Sequence, residues 1–144
     1  MFESILVVCE GNICRSPTAA ALLGRHTGSR VESAGTAALV GHDMDPVARA
    51  VAEQHGLPCP PHRGRMLAVE LCSKADLILV MERRQREYIG RLAPEASGKV
   101  LLFGKWLEER EIPDPHRRSR EAYEQVYRIL EEAAATWAGK LPSV

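Results

Sequence analysis

Three short apolar runs in the 144-residue chain have the length of buried β-strands. Residues 5–8, 77–81 and 100–103 are continuously apolar, and residues 31–33 are a weaker fourth candidate strand. Continuous apolar runs of this length are typical of strands that are covered on both faces. The pattern therefore predicts a fully buried sheet.

Three segments between these runs carry helix signals. Residues 18–26 are rich in Ala and Leu and follow Ser16-Pro17, which we interpret as an N-cap and a proline at the first helical position. Asp45-Pro46 repeats this signal for a second helix, which Gly56 ends. Residues 85–92 have the pattern of a third helix.

The clearest helix is the last one, which begins behind a cap at Ser119. Its apolar residues recur at helical spacing, and we predict that they belong to the core rather than to a ligand site. They are Tyr123, Val126, Tyr127, Leu130, Ala134 and Trp137.

Strands that alternate with helices predict βαβ units and hence a parallel sheet. We therefore expect an α/β fold in which a four-stranded parallel sheet is doubly wound, with helices on both faces in three layers. No linker or repeat interrupts the pattern, which indicates one domain over residues 1–144. In such sheets, ligands bind outside the carboxyl ends of the strands.

The composition argues against several classes of protein. Nineteen basic and nineteen acidic side chains cancel, so no global charge favours nucleic acid or an anionic membrane as a partner. The first apolar run is too short for a signal peptide, and no run approaches membrane-spanning length. Cys9, Cys14, Cys59 and Cys72 are irregularly spaced, which predicts reduced thiols in the cytoplasm and neither a metal site nor a cofactor.

Candidate chemistry is concentrated in CEGNICRSP, which follows the first strand. A loop between a strand and a helix turns its backbone N–H groups toward a common centre, which makes an anion site. The predicted phosphate-binding residues are Glu10, Gly11, Asn12, Ile13, Cys14, Arg15 and Ser16. Gly11 permits backbone conformations that other residues avoid, and Asn12 tolerates left-handed geometry.

Cys9 would lie at the bottom of this loop, where N–H donors and the Arg15 guanidinium stabilise a thiolate. The planar fork of Arg15 suits two phosphate oxygens. A thiolate beneath a bound phosphate is placed for in-line attack on phosphorus. The spacing of Cys9 and Arg15 alone occurs often by chance, and neither G-x-G-x-x-G nor G-K-[ST] is present.

The string CEGNICRSP resembles the signature of the low molecular weight protein tyrosine phosphatases, and the similarity continues through SAGT, HRGR and IPDP. The resemblance implies that Cys9 is the nucleophile, that Arg15 clamps the phosphate, and that the Ser16 hydroxyl donates to the thiolate. It also implies that Ser33 and His62 support the loop through Asn12.

Three longer segments, LILVMERRQ, APEASGKVLLFGKW and EIPDPHRRSREAYEQVY, are similar to the bacterial branch encoded with capsule and exopolysaccharide genes. Leu39 points to the same branch, because many eukaryotic members carry an aromatic pocket wall there. The resemblance implies a phosphotyrosine protein as partner, namely the tyrosine-rich tail of a bacterial tyrosine autokinase. It also implies inhibition by phosphate- or vanadate-like oxyanions.

Expelling tyrosine, whose phenol has a pKa of about 10, requires a general acid, and we assign this role to Asp114. Pro113 and Pro115 flank it and stiffen its loop. An ordinary Asp-Pro turn ahead of the last helix is the alternative. His116 stands where the family usually has an aromatic pocket wall, so binding of a phosphotyrosine ring is expected to be weaker and dependent on pH.

Three other functions compete with this interpretation. Arsenate reductase would need further cysteines after the third strand, phosphoarginine phosphatases have threonine at the position of Ile13, and a dead binding module would lack Cys9, Arg15 or Asp114. Cys14 either packs the loop or captures oxidised Cys9 as a reversible disulfide. We expect the redox role.

Overall fold

The computed structural model describes residues 2–141. Its elements in chain order are β1 (Ser4–Cys9), α1 (Arg15–Gly24), β2 (Arg30–Gly35), α2 (Pro46–Gln54), α3 (Val69–Lys74), β3 (Leu77–Val80), α4 (Arg83–Leu92), a 3-10 helix (Pro94–Lys99), β4 (Val100–Leu102) and α5 (Arg120–Ala138). The strands form one parallel sheet in the order β2-β1-β3-β4. The predicted doubly wound α/β fold is confirmed.

Both faces of the sheet are covered, and β1 is buried at every position, whereas the edge strand β2 is partly exposed, so the prediction of a fully buried sheet is wrong at that strand. Ile5, Val7 and Cys9 point to the face that α1, α2 and α5 cover. Leu6 and Val8 point to the opposite face, which packs against α3, α4 and the 3-10 helix. Since side chains alternate along a strand, a strand covered on both faces must be apolar at every position. This is why β1 has a continuous apolar sequence.

The strand order places a crevice at the carboxyl end of β1. The chain moves from β1 to β2 on one side and then crosses to β3 on the other side of β1. Connections therefore diverge on both sides of the loop that follows Cys9, which is the usual site of ligand binding in open parallel sheets.

The N-caps of α2 and α5 agree with the sequence. The Asp45 carboxylate accepts from the Val47 backbone N–H at 2.8 Å, and the Ser119 hydroxyl accepts from that of Ala122 at 3.2 Å. The predicted core residues of α5 are all buried, and Trp137 also donates to the Phe103 carbonyl at 2.8 Å. Both predicted caps are confirmed.

The start of α1 was predicted wrongly. The helix begins at Arg15, so Ser16 and Pro17 lie in its first turn, and Cys14 at the N-cap makes no side-chain cap bond. Ser16 is unavailable as a cap because its hydroxyl is engaged with Cys9 and Asn12. The short helix α3 was not predicted, since six residues hold too little periodicity to be recognised.

None of the helices in residues 2–141 is both long and apolar enough to cross a membrane. Over the same residues, no group of three or more His, Cys, Asp and Glu side chains is arranged to hold a metal ion.

Candidate active site

A cleft of about 260 Å³ opens at the carboxyl end of β1. It brings together residues from the loop after β1, the loop after β2 and the segment before α5. They are Cys9, Glu10, Gly11, Ile13, Cys14, Arg15, Ala37, Leu39, Asp114, His116 and Arg117. The predicted nucleophile, phosphate clamp, acid and pocket walls therefore line one cavity.

The loop after β1 directs its carbonyl groups outward. Five consecutive carbonyls of the loop accept hydrogen bonds from neighbouring segments at 2.6–3.0 Å, so the acceptors on its outer side are satisfied. The pairs are Thr36 N–H with Cys9, Ala37 N–H with Glu10, Leu39 N–H with Gly11, His62 Nε2 with Asn12, and Asp45 N–H with Ile13. These bonds also hold Leu39 at the rim of the cleft.

The N–H groups of the same loop are left for another acceptor. Within residues 2–141, the backbone N–H groups of residues 10, 11 and 13–16 donate to no protein atom, while that of Asn12 donates to Cys9 Sγ at 3.3 Å. Because backbone N–H groups require an acceptor, this loop suits an oxyanion with several oxygens.

Cys9 receives polar contacts from two directions although it is almost fully buried. Ser16 Oγ lies 3.0 Å from Cys9 Sγ and accepts from Asn12 Nδ2 at 2.8 Å. Since the Ser16 oxygen already accepts from Asn12, its hydrogen is free to donate to sulfur. The arrangement therefore stabilises a thiolate at Cys9.

Asn12 is the residue that gives the loop its shape. It adopts the left-handed region with φ of 56°, whereas Gly11 does not, so the expectation that Gly11 supplies the unusual conformation is wrong. Asn12 Nδ2 donates to Ser33 Oγ at 3.0 Å, and Asn12 Oδ1 accepts from the Arg65 backbone N–H at 2.9 Å. These partners fix the orientation of the Asn12 amide, so that its Nδ2 faces Ser16 Oγ, the atom that contacts Cys9 Sγ.

Arg15 is fully buried, and three groups fix its guanidinium. Nη1 donates to Glu82 Oε2 at 2.5 Å and to the Ile112 carbonyl at 2.8 Å. Nη2 lies 3.7 Å from Asp114 Oδ2. Such contacts hold the planar fork in one orientation before any phosphate binds.

Glu82 is a site residue that the sequence analysis missed. It follows β3, and Arg84 Nε donates to its Oε1 at 2.9 Å. Burial alone would raise the pKa of Glu82, but hydrogen bonds from Arg15 and Arg84 outweigh burial and lower it. Glu82 is therefore a carboxylate that balances Arg15. Its position directly after a buried strand was the signal that could have found it.

Asp114 is partly exposed at the cleft, and its Oδ1 accepts from the His116 backbone N–H at 3.0 Å. His116 Nδ1 lies 3.2 Å from Asp45 Oδ2, which also accepts from the Tyr123 hydroxyl at 2.8 Å. Burial alone would raise the pKa of Asp45, but hydrogen bonds from Tyr123, Ala48 and others lower it. Tyr123 is therefore a core residue that also anchors the loop of Asp114.

The three thiols other than Cys9 differ in their burial and in whether they lie near Cys9. Cys14 is buried beside the nucleophile, and burial together with the nearby Cys9 raises its pKa well above the ordinary value. Cys72 is fully buried on the opposite face of the sheet, and Cys59 is only partly buried, with its Sγ 3.6 Å from the Leu57 carbonyl. Cys14 is thus a neutral thiol next to the candidate nucleophile.

Close approach of the backbone at Gly35 completes the site. A Cβ at this position would lie 2.5 Å from the Glu10 carbonyl oxygen and 3.0 Å from the Asn12 Cβ. Only glycine lets the end of β2 pack against the loop after β1.

Comparison with known proteins agrees with this geometry. A family model described as low molecular weight phosphotyrosine protein phosphatase matches residues 4–143. The chain is 54% identical over 142 residues to the low molecular weight protein-tyrosine-phosphatase Wzb of Escherichia coli K12, covering 98% of this chain and 97% of that protein.

Two solved structures are similar over almost the whole chain. The tyrosine phosphatase Wzb from Escherichia coli K30, in complex with sulphate, has a TM-score of 0.95 and 51% identity, covering 97% of this chain and 99% of that one. Vibrio vulnificus Wzb in complex with benzylphosphonate has a TM-score of 0.95 and 44% identity, covering 98% of this chain and 100% of that one.

Proposed function

The chain belongs to the low molecular weight phosphotyrosine protein phosphatase family, and we propose that it hydrolyses phosphotyrosine through a cysteinyl-phosphate intermediate. One observation carries the proposal. Cys9 Sγ contacts the Asn12 N–H and the Ser16 hydroxyl at the base of a cleft that Arg15 and Asp114 also line. This supports a thiolate nucleophile with a phosphate clamp and an acid on the same cavity.

In the first step, the Cys9 thiolate attacks phosphorus in line with the phenolic oxygen. The S–P bond forms, the P–O bond to tyrosine breaks, and the Asp114 carboxyl gives its proton to the leaving phenolate. The free N–H groups of the loop and the Arg15 fork bind the equatorial oxygens, whose geometry changes in the transition state.

In the second step, a water molecule attacks phosphorus while the Asp114 carboxylate accepts its proton. The S–P bond breaks, inorganic phosphate leaves, and the Cys9 thiolate is restored. The Ser16 hydroxyl favours this departure because its hydrogen bond stabilises the thiolate that leaves. Asp114 thus acts as acid and then as base, ready for another cycle.

Phosphotyrosine fits the cleft better than phosphoarginine does. Ile13 and Leu39 line it with apolar surface suited to a phenyl ring, and Leu39 is 40% exposed in the unbound protein. A guanidino group would place polar N–H groups against these side chains. We therefore assign Ile13, Leu39 and His116 to binding of the aromatic ring.

The physiological target that we propose is the tyrosine-rich tail of a bacterial tyrosine autokinase that controls capsule or exopolysaccharide production. The support for this target is the similarity to the phosphatase Wzb, together with the three segments that resemble the branch encoded with capsule and exopolysaccharide genes. We expect the reaction in the cytoplasm, where such a tail and a reduced Cys9 would meet. Coexpression with the autokinase encoded nearest to this gene, followed by an antiphosphotyrosine blot, would test the target.

The chemical proposal is tested by trapping the intermediate. Rapid acid quench of wild-type protein with a ³²P-labelled phosphotyrosine peptide should leave label on the peptide that contains Cys9. Cys9→Ser should show no turnover and still bind vanadate, since the loop backbone is unchanged. Near-normal turnover in Cys9→Ser, or faster hydrolysis of phosphoarginine than of phosphotyrosine, would contradict the proposal.

A further inference from the structure

Arg117 is a cleft residue to which neither the sequence analysis nor the reaction assigns a role. It lines the cleft beside His116 and is exposed to solvent. Within residues 2–141, its guanidinium has no carboxylate at ion-pair distance and makes no side-chain hydrogen bond. The mouth of the cleft therefore carries a cation that the protein itself does not neutralise.

The other Asp, Glu and Arg side chains that line the cleft have ion-pair partners. Glu10 pairs with Arg84, Arg15 with Glu82, and Asp114 with Arg15, at 2.5–3.7 Å. His116 Nδ1 lies 3.2 Å from Asp45 Oδ2. An additional anion at this rim would consequently meet the positive charge of Arg117, which belongs to the same segment as Asp114.

The backbone at Arg117 adopts an uncommon conformation next to a residue that contacts Asp45. Its φ of 63° lies in the left-handed region, which a residue with a side chain rarely adopts unless its surroundings impose it. His116 Nδ1 must donate to Asp45, because an ionised carboxylate can only accept.

We propose that Arg117 is a specificity residue that binds an anionic side chain of the substrate polypeptide close to the phosphotyrosine. The proposal rests on the proposed function, since it concerns a polypeptide whose phosphotyrosine ring occupies the cleft. A ring in the cleft leaves the neighbouring residues of that polypeptide at the rim. A guanidinium there can bind a carboxylate or a second phosphoryl group with two parallel hydrogen bonds.

The test compares three phosphotyrosine peptides that differ only in the residues flanking the phosphotyrosine: two Asn, two Asp or two phosphoserines. Wild-type protein should have kcat/KM about two- to fivefold higher for the Asp peptide than for the Asn peptide, the range expected of one exposed ion pair. The ratio should fall toward one in high salt because exposed charges are screened. A preference for phosphoserine over Asp would identify a second phosphoryl group as the favoured anion.

Arg117→Gln should lose the preference, and Arg117→Lys should retain part of it through the remaining charge. Arg118→Gln is the matched control, because Arg118 is also exposed and basic but does not line the cleft. Each preference is a ratio within one variant, so a general change in activity cancels.

Equal kcat/KM for all three peptides in the wild type would overturn the proposal for Arg117 alone. An equal loss of preference in Arg118→Gln would overturn it as well, by showing a general charge effect. Hydrolysis of none of the peptides would overturn the proposed function and this proposal together.

Discussion

Glu82 Oε2 lies 2.5 Å from Nη1 of the fully buried Arg15, so the carboxyl end of β3 is bound to the first turn of α1. The pair spans 67 residues of sequence and joins segments that follow the two central strands. Without Glu82, a buried guanidinium would keep only the Ile112 carbonyl and the more distant Asp114 as partners. Glu82 therefore orients Arg15, the proposed phosphate clamp, and also stabilises the fold.

Glu82→Gln should lower the free energy of unfolding by about 2 kcal/mol at pH 7, because a charged hydrogen bond to a buried cation becomes a neutral one. The pKa of Glu82 in the folded protein lies below 4.5, so its stabilisation is present above pH 4.5 and is lost as the pH falls through the folded pKa. Urea denaturation should show that the difference in the free energy of unfolding between wild-type protein and Glu82→Gln becomes smaller as the pH is lowered from 7.

Glu10→Gln is the control for Glu82→Gln. Glu10 pairs with Arg84 at 2.7 Å, but both side chains are exposed, and such pairs contribute about 0–1 kcal/mol. An equal loss of stability in the two variants would contradict the special role of the buried pair.

Asp114→Asn should reduce hydrolysis of a phosphotyrosine peptide by roughly a hundredfold, the contribution of a positioned general acid. The loss on p-nitrophenyl phosphate should be smaller, because p-nitrophenolate leaves without a proton. Steady-state rates on both substrates across pH measure the difference.

Glu111→Gln is the matched control for Asp114. Glu111 is exposed, lies three residues away, and accepts from the Arg83 backbone N–H at 2.8 Å instead of lining the cleft. It should change the rate little. A larger defect in Glu111→Gln, or equal losses on both substrates in Asp114→Asn, would show that Asp114 is not the general acid.

Peroxide should inactivate the protein reversibly through a disulfide between Cys9 and Cys14. Peroxide first oxidises the Cys9 thiolate to a sulfenic acid, and the Cys14 sulfur then displaces hydroxide from it. Since the pKa of Cys14 is raised, the disulfide should form faster as pH rises. Peptide mass mapping and recovery with dithiothreitol measure this, and Cys14→Ser should fail to recover while Cys59→Ser recovers.

Gly35→Ala should destabilise the protein by about 1–3 kcal/mol, the usual cost of overpacking, and should also lower activity. The reason is the 2.5 Å approach of a Cβ to the Glu10 carbonyl, which forces the loop around Cys9 to move. Gly24→Ala is the control, because nothing lies within 4 Å of its Cβ. Thermal unfolding measures the stability and steady-state hydrolysis rates measure the activity, and equal changes in the two variants would exclude the steric argument.

Local sequence was sufficient for much of the architecture. β1 and β3 are buried at every position and β4 nearly so, and each of them carries a continuous apolar run, whereas the edge strand β2 is partly exposed and does not. The helix caps at Asp45 and Ser119 depend on residues two or three positions away. Cys9, Arg15 and Ser16 lie within one short segment, so their clustering could also be predicted, and their roles remain predictions.

The partners of that segment come from remote parts of the chain. Their positions follow from the strand order, in which β1 lies between β2 and β3. No local pattern predicts that Glu82 accepts a hydrogen bond from Arg15, or that the Asp45 carboxylate contacts both His116 and Tyr123. Even the start of α1 was misjudged, because a contact between Ser16 and Cys9 replaced the local cap. Local periodicity is a property of neighbouring residues, whereas the charge balance and orientation of these side chains exist only after distant segments pack together.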